Sequence, residues 1–397
     1  MKYAATSPPT MFTLVIVTGL SVLSLNMFLP SLANIASEFE ADYSLVSLSV
    51  AGYLGITAVL QLIIGPLSDR LGRRPVLLIG ISIFIIASLG CLLATDIWTF
   101  LSFRVMQGAI ISGWVLSLAV IRDTSPARDA ASKIGYVSMA MAVAPMLGPI
   151  LGGVLDELFG WRSSFLFFLT LGVIVFAICW IDMGETNKNP SSTLLRQFQA
   201  YPELFGSRRF WGYALCIMFS TSAFYTFLAG VPLIADKVLM ILPSKLGFYL
   251  GSITAGFFLG SFLSGRYSKR YSLTTMMIAG RIAACTGLTA ALIFFLLGYI
   301  NELSLFGTTV FVGIGNGLTM PSANAGAMSV RPNLAGSASG LAGALTVGGG
   351  AVFTSITGAI LNEQHGVYQL VGIMLFCSMM GLIAALYVLH VSRQEDN

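Results

Sequence analysis

Charged residues are scarce in this 397-residue chain. They make up 10% of it, whereas soluble domains carry about 25%. Hydrophobic residues make up 56%, and the mean hydropathy is +0.85. This small number of charges cannot cover a water-facing surface. The composition therefore excludes a soluble fold and predicts an integral membrane protein. The net charge is +4, but the basic residues are spread over short loops, which argues against nucleic-acid binding.

Groups that carry enzymatic or metal chemistry are also few. The chain has no G-x-x-x-x-G-K loop and no H-E-x-x-H, and its two histidines, His365 and His390, stand near the ends of apolar runs. Five cysteines form no C-x-x-C pair and fall inside apolar runs, where packing is their expected role. We therefore expect no enzyme activity, no metal and no cofactor.

Long apolar runs fill most of the chain. Cutting at polar clusters leaves twelve runs, each close to the roughly twenty residues that a helix needs to cross a bilayer. These runs lie near 11–33, 44–66, 75–94, 98–120, 133–156, 162–182, 210–235, 245–265, 273–298, 303–326, 335–361 and 367–391. We predict an all-α membrane protein with two six-helix bundles, 1–183 and 209–397, joined by a cytoplasmic linker, 184–208.

The distribution of lysine and arginine predicts the orientation, because these residues accumulate in short cytoplasmic loops. With the N-terminus inside, sixteen of the 21 basic residues fall on the cytoplasmic side and three on the outer side. The remaining two, Arg104 and Arg281, lie within spans. Both termini are therefore expected in the cytoplasm.

The two halves of the chain resemble each other. S-D-R-L-G-R-R at Ser68–Arg74 aligns with S-G-R-Y-S-K-R at Ser264–Arg270, and each closes the second span of its half. Parallel six-helix repeats commonly flank a central cavity with the substrate site near the midplane. We therefore expect pseudo-symmetric bundles around such a cavity.

Three motifs point to a family. The loop G-P-L-S-D-R-L-G-R-R resembles that between the second and third helices of the major facilitator superfamily; its matching residues are Gly65, Asp69, Arg70, Gly72, Arg73 and Arg74. F-R-V-M-Q-G, with Arg104 and Gln107, resembles the fourth-helix motif of the drug-proton antiporters in that superfamily. A-P-M-L-G-P-I-L-G-G resembles their fifth-helix motif, through Pro145, Gly148, Pro149, Gly152 and Gly153. N-M-F-L-P-S-L after Leu25, with Arg122 and Asp123, is most similar to the Bcr/CflA multidrug effluxers.

The resemblance implies a secondary active transporter that exports a small drug or metabolite by alternating access, in exchange for protons. It implies a multi-pass protein of the bacterial inner membrane, a monomer surrounded by lipid. A proton-independent facilitator or importer of a small organic anion is the alternative, and a non-transporting membrane sensor is a further one.

The charged loop is expected to have a mechanical role. The resemblance implies that its network latches the cytoplasmic side in one conformation. Asp69 lies where the following arginines or a helix N-terminus could hold its charge, and Gly65 and Gly72 permit a tight turn. An ordinary positive-inside loop is the alternative, but it does not account for Asp69.

Arg104 is the main chemical signal, because a charge within a span is costly and indicates function. It lies about 10 Å from the outer end of its span, near the depth of Asn26 in the first span. Gln107 and Trp114 continue its helix face. A structural pin that bonds only to backbone carbonyls is the alternative. Arg281 is expected to snorkel to the cytoplasm.

Asn26 departs from the family pattern, since Bcr/CflA proteins usually carry an aspartate there and asparagine cannot titrate. Two hypotheses follow. Proton coupling would use Asp123 beside Arg122, or a protonatable substrate, and Arg104 without a carboxylate partner would favour anionic ligands. The further candidates for the cavity wall are Tyr225, Asn316 and Asn324.

Overall fold

The computed structural model describes residues 8–125, 127–187, 204–267, 270–330, 335–362 and 364–395. Within these ranges the chain is helical and contains no strand. All twelve predicted spans correspond to long helical segments, which we number spans 1 to 12. Their bounds are Met11–Glu38, Tyr43–Leu71, Arg73–Leu93, Ile97–Ile121, Ala127–Phe159, Arg162–Asp182, Arg208–Lys237, Pro243–Tyr267, Leu273–Leu296, Leu303–Ser329, Ala335–Ile360 and Gly366–Glu395.

The predicted membrane-spanning fold is confirmed. Among the described residues, eleven segments are long and apolar enough to cross a bilayer, and the 33-residue span 5 is the twelfth long helix. Span 6 ends at Asp182 and span 7 begins at Arg208. Much of the linker between them lies outside the described residues, so the predicted domain boundaries stay predictions.

Span 1 is interrupted near its middle. The helix Met11–Asn26 gives way to a 3₁₀ turn, Leu29–Ser31, before the helix Leu32–Glu38. Pro30 lies in that turn and cannot donate a backbone hydrogen bond, which accounts for the break. Span 4 has a similar 3₁₀ turn at Gln107–Ile110.

Aromatic side chains fill the core of the first half. Phe165 packs edge-on against Phe100, with ring centroids 5.4 Å apart, and against Trp161 at 5.7 Å. Phe28 of span 1 lies 6.0 Å from Phe165. These contacts hold spans 1, 4 and 6 together at the end of the bundle opposite Gly72.

Hydrogen bonds tie the helix ends of this half together. Asp182 at the end of span 6 accepts bonds from the backbone and side chain of Thr10 and from Thr13, which fixes the start of span 1. At the other end, Glu38 pairs with Arg162 and accepts a bond from Trp161. The first six spans are therefore closed at both ends by polar contacts.

The second half also has an aromatic core. Span 7 is its most buried helix. Phe227 of span 7 packs edge-on against Phe306, 6.2 Å away, and the ring of Tyr249 of span 8 stacks on that of Phe306 at 4.6 Å. Spans 7, 8 and 10 thus share one apolar core.

Two pairs of spans make the most extensive contacts between the halves: span 2 with span 11, and span 5 with span 8. We call the end of the bundle that carries Gly72 the basic end. At the opposite end, Tyr43 of span 2 donates a 2.5 Å hydrogen bond to the Ala229 carbonyl of span 7. Ser47 of span 2 packs against Gly358 of span 11. The halves are therefore sealed at the opposite end.

Candidate functional site

The polar turn between spans 2 and 3 is shorter than the sequence predicted. The helix of span 2 continues through Gly65 to Leu71, and span 3 begins at Arg73. Gly72 alone makes the turn, with a φ of +99° that favours glycine. The prediction that Gly65 shapes this turn is wrong, because the helix extends past the apolar run into the polar segment.

Arg73 is the centre of an ionic cluster at the basic end. Its guanidinium lies 2.5 Å from the Asp69 carboxylate and donates to Asp123 Oδ2 at 2.9 Å. It also donates to Ser68 Oγ at 2.5 Å. Arg73 is 8% exposed. One buried cation thus links the ends of spans 2, 3 and 4.

Glu185 extends this cluster from the segment after span 6. Its carboxylate accepts the backbone N–H groups of Arg73 at 2.9 Å and Arg74 at 3.2 Å. It therefore caps the positive end of the span 3 dipole. Asn187 donates to the Asp69 carbonyl at 2.8 Å. We refer to Asp69, Arg73, Asp123 and Glu185 as the ionic cluster.

The other basic residues of this region differ in their surroundings. Arg74 donates to the Trp180 carbonyl at 2.9 Å and lies 5.2 Å from the centroid of the Trp180 ring, which attaches it to span 6. Arg70 is exposed. The Arg122 side chain lies outside the described residues.

Arg104 is fully buried within the first half. Its Nη1 donates to Gln107 Oε1 at 2.6 Å, and its Nη2 donates to the Ser24 carbonyl at 2.8 Å. The guanidinium carbon lies 4.0 Å from the Phe28 ring centroid and 4.5 Å from that of Tyr53. Carbonyl dipoles and aromatic faces therefore stabilise the charge. Among the described residues, it has no carboxylate partner.

Asn26 does not meet Arg104. Its amide donates to the Val22 carbonyl at 2.7 Å in its own helix, and its Cβ faces Gly148 of span 5. Gln107 turns inward and donates to Ser88 of span 3 at 2.7 Å. The 3₁₀ turn Gln107–Ile110 separates Arg104 from Trp114, and Trp114 packs against the apolar core. Arg104 thus pins span 4 to span 1, but it bonds to the Gln107 side chain as well as to a backbone carbonyl, so the predicted alternative of carbonyl bonds alone does not describe it.

Arg281 contradicts the prediction that it snorkels. It is 0% exposed, and its Nε and Nη2 donate to Thr319 Oγ1 at 3.0 Å and Asn316 Oδ1 at 2.7 Å. Its position is about 12 Å from the end of span 9. Oxygen acceptors on the neighbouring span 10 hold the guanidinium inside the bundle, so the side chain does not extend to water.

A cavity of about 180 Å³ lies between the halves, near the middle of the spans. Nine of its ten described lining residues belong to the second half, and Pro145 of span 5 belongs to the first. Its lining residues are Pro145, Thr221, Phe224, Tyr225, Ile253, Thr254, Phe257, Gly313, Asn316 and Met320. These described lining residues are apolar except for two threonines, one tyrosine and Asn316.

The structure brings only part of the predicted binding set to this cavity. Tyr225 and Asn316 line it, and Pro145 of the fifth-helix motif contributes the facing wall. Asn26, Arg104, Gln107, Trp114 and Asn324 are not among the lining residues.

The glycines of the fifth-helix motif seal the seams beside the cavity. Gly148 and Gly152 pack against span 1. Gly153 faces the backbone of Pro243, and Gly247 of span 8 faces that of Pro149 in return. A Cβ on either residue of this reciprocal pair would lie within 3 Å of backbone carbon on the other helix. The small side chains therefore allow spans 5 and 8 to touch at their backbones.

The family model described as Major Facilitator Superfamily matches residues 14–354. The chain belongs to this superfamily. Multidrug resistance protein D of Escherichia coli (strain K12) is 29% identical over 97% of this chain and 96% of its own length. A chloramphenicol resistance protein of Pseudomonas aeruginosa is 33% identical over 54% of this chain and 51% of its own. Both are similar proteins within the same family of transporters.

Solved structures show the same fold. A bacterial homolog to the human lysosomal transporter Spinster, in an inward-facing and occupied conformation, superposes with a TM-score of 0.75. The two are 18% identical, and the match covers 98% of each chain.

Several residues of the ionic cluster and of the surroundings of Arg104 were not predicted from the sequence. Glu185 stands in the hydrophilic linker, where nothing marked it as a helix cap. Ser24, Tyr53 and Ser88 lie in apolar spans and carry no motif. A search for small polar residues on the spans next to Arg104 could have found Ser24 and Ser88, because a buried guanidinium needs acceptors.

Proposed function

We propose that this transporter exports small organic molecules, drugs among them, across the bacterial inner membrane by alternating access. The observation that carries the proposal is the mid-span cavity between two halves that are sealed at one end. A carrier of this kind needs a site that each side can reach in turn. The similarity to multidrug resistance protein D supports export as the direction.

The cavity volume indicates how the site would work. About 180 Å³ is below the roughly 300–1,000 Å³ of sites for drug-sized ligands. A larger substrate therefore requires the halves to separate at one end. The charge distribution supports a cytoplasmic location for both termini, in which case the sealed end faces outward. We propose that the carrier works as a monomer in lipid.

Proton exchange is the proposed energy source, and Asp123 is its candidate carboxylate. Asp123 Oδ2 accepts the Arg73 Nε bond at 2.9 Å, and the Asp123 side chain is 25% exposed. Protonation would remove the charge that Arg73 balances, and so would loosen the ionic cluster at the basic end. The proton would thereby act on the conformation and not on the cavity.

Flux into proteoliposomes tests the proposal. Radiolabelled chloramphenicol is the probe, and the gradient is imposed by a pH jump that drives protons against the expected drug movement. The expected result is chloramphenicol uptake in the direction opposite to the imposed proton movement. This uptake should be absent from protein-free liposomes. Uptake indifferent to the gradient would support the facilitator instead. Asp123→Asn should abolish the pH dependence, whereas Asn26→Ala should retain it.

A facilitator or importer of a small organic anion is the second candidate. Arg104 and Arg281 are buried cations without a carboxylate partner among the described residues. Their uncompensated charge favours anions in the membrane interior. Benzoate flux in the same liposomes, insensitive to pH and equal in both directions, would identify this function.

A further inference from the structure

Asn316 is the one amide among the described residues that line the cavity. It lies at the middle of span 10 and is 4% exposed. The other polar lining groups, Thr221, Thr254 and Tyr225, carry hydroxyls that can donate or accept. An amide has a donor end and an acceptor end, so its orientation decides what it offers a ligand.

Arg281 decides that orientation. Its Nη2 lies 2.7 Å from the Asn316 side chain, and a guanidinium has only donors. The atom that it meets must therefore be the carbonyl oxygen Oδ1. Asn316 Nδ2 takes the other position, and no described residue accepts a hydrogen bond from it. Thr319, which accepts from Arg281 Nε at 3.0 Å, helps to keep the guanidinium in place.

The charge of Arg281 acts in the same direction. The side chain is fully buried, and its Nη1 has no hydrogen-bond partner among the described residues. Its positive charge lies directly behind Asn316, in a medium of low dielectric constant. A negative or partly negative oxygen in the cavity is therefore favoured, and a cation is disfavoured.

We propose that the cavity selects molecules that present an acceptor oxygen, such as a carbonyl or carboxylate, to Asn316 Nδ2. Arg281 is the positioning residue that fixes this preference from behind the wall. The inference rests on the proposed function, since it names the class of substrate that the same cavity would carry.

Three probes on one carbon skeleton test the preference. Acetophenone carries a carbonyl, ethylbenzene lacks it, and 1-phenylethylamine is a cationic donor. Ligand-observed NMR on the full chain in detergent measures each dissociation constant, with protein-free micelles as the baseline. Wild type should bind acetophenone about 3- to 10-fold more tightly than ethylbenzene, the value of one net hydrogen bond. We call the dissociation constant of ethylbenzene divided by that of acetophenone the ratio. A ratio near one in wild type would overturn the inference.

Variants locate the effect. Asn316→Leu should reduce the ratio to near one, whereas Asn324→Leu, on the same helix but away from the cavity, should leave it unchanged. Arg281→Met should lower the ratio, because the amide is then free to turn. Asn316→Asp keeps a hydrogen-bond partner for Arg281 but presents an acceptor oxygen to the cavity. The affinity for 1-phenylethylamine should therefore rise relative to that for acetophenone. An Asn316→Asp protein that keeps the ketone preference would contradict the inference, and so would an unchanged ratio in Asn316→Leu.

The outcome separates this inference from the proposed function. Drug flux with an unaltered ratio in both Asn316 variants would remove the inference and leave export intact. If the ratio changes in the Asn316 variants but the protein shows no drug flux, the inference about the cavity stands and the proposed export function is refuted.

Discussion

Replacing Gly247 by alanine should open the sealed end of the transporter. A Cβ at Gly247 would lie 2.1 Å from the Pro149 carbonyl oxygen and 2.7 Å from its carbonyl carbon, where ordinary contacts are 3.4 Å or more. Spans 5 and 8 must therefore part by about 1.3 Å to restore an ordinary contact with that oxygen. Because backbone atoms form the obstacle, no side chain can rotate away to relieve it.

The size of the effect follows from the packing. Overfilling a tight contact costs about 1–3 kcal/mol. The cost falls on the state in which spans 5 and 8 touch, so it shifts the conformational equilibrium by about 5- to 150-fold towards the open form. A remote reporter detects this shift: Ser47→Cys on span 2 is buried against Gly358 at the other seam.

The assay is the rate of N-ethylmaleimide labelling of that cysteine, after the five native cysteines have been replaced. Gly247→Ala should raise the rate by the same 5- to 150-fold factor. Gly19→Ala is the matched control, because a Cβ at Gly19 meets nothing within 4 Å. A wild-type rate in the Gly247 variant, with the protein monodisperse, would refute the argument that this contact seals the opposite end.

Three further results are expected. Arg104→Met should lower the thermal stability in detergent, because the hydrogen bond between spans 1 and 4 at Ser24 is lost. The ratio of the ethylbenzene and acetophenone dissociation constants should stay unaltered. A selective loss of ligand binding would instead place Arg104 at the cavity. Gly72→Ala should cost about 1–3 kcal/mol, seen as a lower melting temperature, because a φ of +99° with a ψ of 152° is essentially restricted to glycine; an unshifted melting temperature would contradict this. Glu185→Gln should cost about 0.3–1 kcal/mol, since the cap on the span 3 dipole loses its charge, and the loss should shrink at high salt; a salt-independent change would point to another cause.

The ionic cluster shows how far motif reasoning could reach. The motif placed Asp69 and Arg73 close together, and the structure puts them in one ion pair. Glu185 could not be predicted, since it reaches Arg73 across 112 residues of sequence from a segment without a pattern. Such a contact depends on how spans 3 and 6 lie side by side.

Arg104 and Arg281 show the limit most clearly. Both could be identified as costly charges within spans, but their surroundings were predicted wrongly. Arg104 was expected at the cavity and is enclosed in the first half. Arg281 was expected in water and instead bonds to Asn316 and Thr319. A helix that is apolar on every side gives no sign of which face meets which neighbour.

By itself, the sequence determined the membrane class, the twelve spans and their helix ends to within a few residues, apart from the polar extensions of spans 1, 2 and 5. These features follow from hydropathy and charge, which are local properties of the chain. The tertiary structure alone decided which residues meet the cavity and which glycines close the seam. Side chains in lipid gain little by turning away from it, so only helix-to-helix packing sets the rotation of each span. That rotation places Arg281 behind Asn316 and Arg104 away from the cavity.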